Sequence, residues 1–122
     1  MSKKGYSSNY ASGIRAEKSV ASSYRDAGWK VIQSAGSRGA ADLKCSKGDT
    51  THFVQVKSSQ TSSKPYISSS ELGRLKSTAT RNDATSVIVK VHNGLTSIIV
   101  IKQINWIFLR FFIILYILKY MK

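Results

Sequence analysis

Two apolar, β-branched runs joined by Asn-Gly constrain the fold of this chain more than any other feature. They lie in the stretch TSVIVKVHNGLTSIIVIK, residues 85–102. Runs rich in Val and Ile favour buried strands. Asn-Gly is the best short-range signal for a tight turn between paired strands, because both residues tolerate the positive φ that such turns need. The stretch therefore predicts two adjacent strands of a sheet against which other elements pack.

Spacing and end signals predict the remaining elements. Ile14–Ala27 carries an incomplete apolar stripe at helical spacing, and Gly28 follows where a C-terminal cap would be. A second helix is predicted from Ser68 or Ser69 to about Ala79. Three further strands are predicted at Trp29–Gln33, Asp42–Cys45 and His52–Ser58, with the turn SKGDT between the last two. The order of helix, three strands, helix and two strands predicts an α/β sheet with helices packed against it.

Length and composition predict one folded unit with two unlike ends. A chain of 122 residues with 42% hydrophobic residues can build a single core. Residues 1–13 are polar, basic and rich in Ser, which predicts a flexible arm. All predicted helices and strands fall in the domain at residues 14–102, and residues 103–122 form an almost entirely apolar C-terminal tail.

The charge balance predicts a polyanionic partner. The chain has 19 Lys and Arg residues against 6 Asp and Glu residues, a formal net charge of +13. Such an excess favours nucleic acid or an acidic membrane surface. The single Cys45 excludes an internal disulfide and a thiolate metal cluster. This cysteine usage, with an N-terminus that lacks an apolar signal segment, predicts an intracellular, cytoplasmic protein.

A candidate metal site follows from side-chain alternation in the third predicted strand. Gln55 and Lys57 point to the same face, and the valines beside them point to the core. If the segment holding Asp42 pairs with this strand, and a helix brings Glu17 over the sheet, two carboxylates and an amide oxygen meet. These hard ligands suit Mg²⁺ or Mn²⁺, and the ammonium can stabilise phosphate charge. The same spacing also arises from solvated surface charges, so it does not decide the matter alone.

Three stretches carry a resemblance to a known family: GIRAEKSVASSYRDAGWKVIQSAGSRGAADL, FVQVKSS and YISSSELGRLKSTA. In order and content they resemble the archaeal Holliday junction resolvase family, which belongs to the PD-(D/E)XK, restriction-endonuclease-like nucleases. The resemblance runs from about Gly13 to Ile101. It implies an α/β fold with a restriction-endonuclease-like mixed β-sheet flanked by helices, a homodimer, and Mg²⁺-dependent cleavage of branched DNA such as four-way junctions, with Mn²⁺ as a substitute.

The resemblance assigns catalytic roles to five positions. Glu17 falls on the family's first-helix glutamate and Ser37 on the serine of its GSRG-like loop. Asp42 falls on the metal aspartate and Lys57 on the motif lysine. Gln55 falls where resolvases carry a glutamate, although Mrr-like restriction enzymes of the same superfamily use a D…QxK version. The resemblance thus implies that Glu17, Asp42 and Gln55 are the metal ligands, with one negative charge fewer than in resolvases.

The positive charge predicts that DNA is bound mainly through its phosphates. In the GSRG-like loop, Ser37 is predicted to hydrogen-bond a phosphate or a metal-bound water. The basic residues predicted to contact the DNA backbone are Lys3, Lys4, Arg15, Arg38 and Lys64.

The apolar C-terminal tail has three competing interpretations. Spanning a bilayer takes roughly 20 apolar residues. The stretch between Lys102 and Lys119 is shorter and contains Arg110, and a central Arg costs about 2.5–3.5 kcal/mol on insertion scales. The first interpretation is therefore a buried dimer interface, and the second is a segment that lies on a membrane surface. The third is a tail altered by recent sequence change, with no selected role.

Three functions from different classes follow. The first is a metal-dependent DNA endonuclease that hydrolyses phosphodiester bonds and selects branched DNA. The second is a non-catalytic DNA-binding module with a degenerate nuclease site, which Gln55 favours. The third is a basic membrane-surface protein, argued from the tail and the charge.

Overall fold

Five strands form one mixed sheet in the order in which they occur along the chain. The structure, a computed structural model, describes residues 4–34, 40–61, 64–101 and 106–120. The strands are β1 (Lys30–Gln33), β2 (Leu43–Lys47), β3 (Thr50–Ser59), β4 (Thr85–His92) and β5 (Leu95–Ile101). Only β3 and β4 pair in parallel, and the other neighbours pair antiparallel. This mixed sheet confirms the predicted fold class.

Three helices accompany the sheet: α1 (Lys4–Asp26), α2 (Ser69–Arg81) and α3 (Trp106–Tyr120). Helix α2 lies in the crossover that a parallel pair requires between β3 and β4, and Ser68 is its N-cap as predicted. Helix α1 begins ten residues before the predicted start at Ile14, within the segment predicted to be a flexible arm. The Ser- and Gly-rich composition of that segment disfavours a helix interior, so its sequence gave no helical signal.

The sheet separates two apolar clusters, one on each face. The cluster on the α1 face contains Ala16, Ala21, Leu43, Cys45, Val54, Val56, Val87 and Val89. The cluster on the α2 face contains Ala41, Phe53, Leu75, Ala79, Ala84 and Ile88. Because side chains alternate along a strand, Gln55 and Lys57 share the α2 face with Phe53, while the neighbouring valines face α1. The predicted orientation of this strand is therefore confirmed.

The two predicted hairpin turns are both present. Asn93 and Gly94 have φ of 51° and 74° between β4 and β5, as expected for the Asn-Gly turn that suits the twist of paired strands. Gly48 has φ of 59° in the turn between β2 and β3. The second turn fixes the register that sets Leu43 opposite Val54, and that register places the residues of the candidate site.

The C-terminal part of the structure carries much exposed apolar surface. Strand β5 lies at the sheet edge, and Leu95 and Ile98 are 64% and 63% exposed. The side chains at positions 113–120 of α3 are also exposed. Among the helices that the structure describes, none combines the length and apolar character needed to cross a membrane.

Candidate functional site

The candidate site lies where β2 and β3 stop pairing. Strand β2 begins at Leu43, opposite Val54, while β3 continues five residues further to Ser59. Over that extension β3 still pairs with β4, up to Ser59 opposite His92. The side of β3 that β2 leaves uncovered is therefore an open edge, and backbone groups there need other partners.

Asp42 occupies the start of this open edge and is held from three directions. Its amide donates to the Val54 carbonyl at 2.9 Å, and its carbonyl accepts from the Ser34 amide at 3.0 Å. Its side-chain Oδ2 accepts from the Val56 amide at 2.8 Å. The carboxylate thus accepts a hydrogen bond from β3 where β2 no longer pairs with it, and this bond fixes the position of the carboxylate.

Glu17 reaches the same carboxylate from α1. The two carboxyls lie close together, and the pKa of Glu17 rises from its usual 4.5 to about 7. Burial is the largest cause, the nearby Asp42 charge is the second, and their hydrogen bond is the third. Ala16, next to Glu17, is 8% exposed and packs in the α1-face cluster, so core packing brings the pair together. A raised carboxyl pKa beside a like charge is typical of functional sites.

Gln55 lies beside Asp42 because of the register between the strands. Asp42 bonds through its backbone to Val54 and through its side chain to Val56, which brackets Gln55. Gln55 is half-buried on the α2 face. Its amide oxygen is a neutral ligand type, so this position adds no charge to the carboxyl pair.

Lys57 lies two residues beyond Gln55 and forms an ion pair with Glu71 of α2. Both side chains are about 70% shielded, with 27% and 30% exposed. Glu71 is also the third residue of α2, where its amide donates to the Ser68 hydroxyl at 3.1 Å and its Oε1 accepts from that hydroxyl at 3.2 Å. The hydrogen bond from Lys57 is the main reason that the pKa of Glu71 lies below its usual value.

Sequence reasoning placed Glu71 in the first turn of α2 but missed its contact with Lys57. The Ser-x-x-Glu spacing is the signature of a helix cap, and it indicates nothing about a residue on a distant strand. Only the packing of Leu75 and Ala79, both 0% exposed, sets the start of α2 over β3.

The predicted DNA contacts are only partly described. Ser37, Arg38 and Lys3 lie outside the described residues, and Lys4 begins α1. Arg15 and Lys64 are exposed. Arg15 lines a groove of about 450 Å³ between α1 and the ends of β3 and β4, together with the hydroxyl-bearing residues Ser12, Ser19, Ser58 and Ser59. This groove combines one positive charge with several hydrogen-bond donors, the groups that bind DNA phosphates.

The donors at the open edge fit a hard divalent ion. Within the part of the chain that the structure describes, no three His, Cys, Asp or Glu side chains are grouped closely enough to hold a metal. The available set is the carboxyl pair of Glu17 and Asp42 with the amide oxygen of Gln55. All three are oxygen donors, which suit Mg²⁺ or Mn²⁺ rather than softer metals. A cation between Glu17 and Asp42 would offset the repulsion between these two carboxyls.

Comparison with known proteins identifies the family. The family described as archaeal Holliday junction resolvase (hjc) matches residues 8–114. The chain belongs to this family. Its fold is similar to that of Hjc, a Holliday junction resolvase from the archaeal hyperthermophile Archaeoglobus fulgidus, with a TM-score of 0.63 and 22% identity over 71% of this chain and 75% of that chain. None of the curated proteins matches the sequence.

Membership in the archaeal Holliday junction resolvase family makes this chain a structure-selective DNA endonuclease by class. The predicted family and nuclease superfamily are thereby confirmed. The family match extends from α1 to α3, so it spans Glu17, Asp42 and the strand of Gln55 and Lys57.

Proposed function

We propose that this resolvase-family chain hydrolyses phosphodiester bonds of four-way junctions or other branched DNA, with Mg²⁺ held by Glu17, Asp42 and Gln55. The observation that carries the proposal is the close approach of two carboxyls. The chain has only 6 acidic residues against 19 basic ones, yet two of the six lie close enough together for Asp42 to help raise the pKa of Glu17 to about 7. Such like-charge contacts cost stability and are typical of sites that bind a cation.

Each side chain has a distinct task in this proposal. Asp42, fixed by the Val56 amide, supplies a negative ligand whose position does not depend on the metal. Glu17 supplies the second charge, and Gln55 supplies a neutral oxygen. When bound, Mg²⁺ lowers the pKa of a water and neutralises phosphate charge. Lys57 supplies a cation that stabilises negative charge on the reacting phosphate.

DNA binding rests on phosphate contacts. The net charge of +13 favours binding to the backbone of any DNA, and the groove beside Arg15 offers a place for a phosphate next to the α1 side of the site.

Selection of branched DNA then depends on how two such surfaces are arranged. We therefore propose a homodimer acting on DNA inside the cell, with β5 and the apolar tail at residues 103–122 as its interface. The support is that β5 and positions 113–120 of the tail expose more apolar surface than a monomer usually carries. In this arrangement residues 14–102 remain the nuclease domain.

Gln55 favours one alternative, a junction-binding protein with a degenerate site. A site with two carboxyls holds Mg²⁺ less tightly than one with three, because ligand charge tunes affinity. In that case DNA is bound but not cut.

A cleavage panel tests the proposal. Purified protein is incubated with four-way junction, duplex and single-stranded DNA in Mg²⁺, in Mn²⁺ and in EDTA. We expect cutting of the junction that requires a divalent ion. Asp42→Asn keeps an oxygen for the Val56 amide but loses the charge, and it should abolish cutting while junction binding persists. Asp26→Asn, which removes an exposed carboxylate at the end of α1, is the matched control and should cut normally.

The outcomes separate the alternatives. Cutting by Asp42→Asn at the wild-type rate would reject the metal site. Junction binding without cutting by wild type would support the degenerate binder. Binding to acidic liposomes with no preference for DNA would instead support the membrane-surface function.

A further inference from the structure

The ion pair between Lys57 and Glu71 lies near the candidate site, but neither residue is one of the proposed metal ligands. Lys57 shares its face of β3 with Gln55, and its ammonium contacts the Glu71 carboxylate on α2. A lysine side chain is a long flexible stem with a compact charge at its end. Left alone, it would sample many positions around a phosphate, and positional spread lowers the rate of a reaction that depends on alignment.

A continuous set of contacts fixes the partner of Lys57. Leu75 and Ala79 are fully buried against the α2 face of the sheet, so the helix cannot shift freely. At the start of that helix, the Ser68 hydroxyl binds both the amide and Oε1 of Glu71. The remaining oxygen, Oε2, contacts Lys57. The carboxylate is thus held by the helix cap on one side and holds the lysine on the other.

The donor count leaves Lys57 able to act on a substrate. An ammonium has three N–H donors, and Glu71 takes one through a single oxygen. Among the residues that the structure describes, no other partner of this ammonium is found, so two donors remain for a phosphate oxygen and a water.

We propose that Glu71 is a positioning residue, which aims the Lys57 ammonium at the scissile phosphate by holding one of its three donors. This inference rests on the proposed nuclease function of the site. It assigns to the first turn of α2 a task beyond capping the helix. The competing interpretation is that Glu71 serves only the cap and that its contact with Lys57 is incidental.

Glu71→Gln tests the proposal because the amide still fits the cap but loses the charge that attracts Lys57. We expect the single-turnover rate of junction cleavage to fall about 10- to 100-fold at saturating DNA and Mg²⁺, as a displacement of the lysine by about 1 Å would cause. The dissociation constant for the junction and the Mg²⁺ concentration for half-maximal rate should change less than about twofold, since Glu71 is neither a DNA contact nor a metal ligand in this proposal.

Two controls separate positioning from capping and from charge. Ser68→Ala removes the cap hydroxyl and so releases Oε1 of Glu71, but it keeps the charge that attracts Lys57. It should therefore lower the melting temperature by about 3–5 °C and cut more slowly than wild type, yet several-fold faster than Glu71→Gln. Asp26→Asn makes the same change in net charge at an exposed site and should cut like wild type. If Ser68→Ala is as slow as Glu71→Gln, capping explains the loss and the proposal fails. A Glu71→Gln variant that cuts faster than wild type would also overturn the proposal, because Glu71 would then be holding Lys57 away from the phosphate.

Unfolding measurements test the contact itself, whether or not the wild type cuts DNA. We expect the decreases in melting temperature to be non-additive. The double variant of Glu71→Gln and Lys57→Met should lose less than the sum of the decreases caused by the two single substitutions. Additive losses would show that the residues are not coupled and would reject the inference. If the losses are non-additive but wild type cuts nothing, the proposed function fails and the positioning role fails with it.

Discussion

Because the carboxyls of Glu17 and Asp42 lie close together, we expect Glu17→Gln to stabilise the metal-free protein and to abolish DNA cleavage. Glutamine has almost the shape of glutamate and can donate its amide N–H to Asp42, so the hydrogen bond in the pair persists. It has no charge to repel Asp42 and none to desolvate. The variant therefore removes the two largest causes of the raised Glu17 pKa while leaving α1 packed on the sheet.

The magnitude follows from the pKa of Glu17, which rises from 4.5 to about 7 in the folded protein. Between these values the folded state keeps a proton that the unfolded chain has released, so the free energy of unfolding falls as the pH rises through this window. The full difference corresponds to about 3 kcal/mol. Because Glu17 is only half-buried and solvent screens its charge, we expect about 1–2 kcal/mol.

The advantage of the variant should therefore depend on pH. Near pH 4.5, Glu17 is protonated in the folded protein, and the two proteins should melt at similar temperatures. Above pH 7, Glu17→Gln should melt higher by about 3–10 °C, since 1 kcal/mol shifts the melting temperature of a chain of this size by about 3–5 °C. Other titrating groups are shared by both proteins and cancel in the difference.

Mg²⁺ should reverse the order of stability. A cation that bridges Glu17 and Asp42 pairs both charges and binds only the folded state. At one hundred times its dissociation constant it would stabilise the wild type by about 2.7 kcal/mol, which exceeds the advantage expected for the variant. The variant lacks one of the two charged ligands and should gain much less, and its junction cleavage should be lost.

Differential scanning fluorimetry or calorimetry from pH 4.5 to 8.5, with EDTA or Mg²⁺, measures all of these differences. Asp26→Asn provides the control, because it removes a carboxylate that lies apart from the pair on the solvent-exposed end of α1. A difference between Glu17→Gln and wild type that does not change with pH would refute the argument. So would a variant that is less stable than wild type at pH 8 in EDTA.

Three other predictions concern the ligand set, the DNA and the tail. Gln55→Glu adds the charge that Gln55 lacks, so the Mg²⁺ concentration for half-maximal cleavage should fall about tenfold; an unchanged Mg²⁺ requirement would show that this side chain is not a ligand. Junction affinity should fall steeply with salt, with a slope of about −0.9 in log K against log salt for each duplex phosphate neutralised; weak salt dependence measured by fluorescence anisotropy would contradict phosphate-based binding. A chain ending at Lys102 should self-associate less in sedimentation than the full chain, because it lacks the apolar surface that positions 113–120 expose; equal self-association would place the interface elsewhere.

Local sequence determined most of the sheet and much of the site. The Asn-Gly turn, the Val- and Ile-rich runs and the alternation around Gln55 and Lys57 each act over a few residues, through backbone conformation and side-chain direction. They therefore predicted β3, β4 and β5 and the face to which Gln55 and Lys57 point. The cap at Ser68 was predictable for the same reason, because its hydrogen bonds lie within one helical turn.

Tertiary structure alone decided which distant groups meet. The early start of α1 has no local signal, since its Ser and Gly residues disfavour a helix interior. The contact of Glu17 with Asp42 depends on how α1 packs against the sheet. The contact of Lys57 with Glu71 depends on how Leu75 and Ala79 set α2 over β3. Sequence determined which charges the site contains. Only the packing of the two helices on opposite faces of one sheet determined that Glu17 meets Asp42 and that Glu71 meets Lys57.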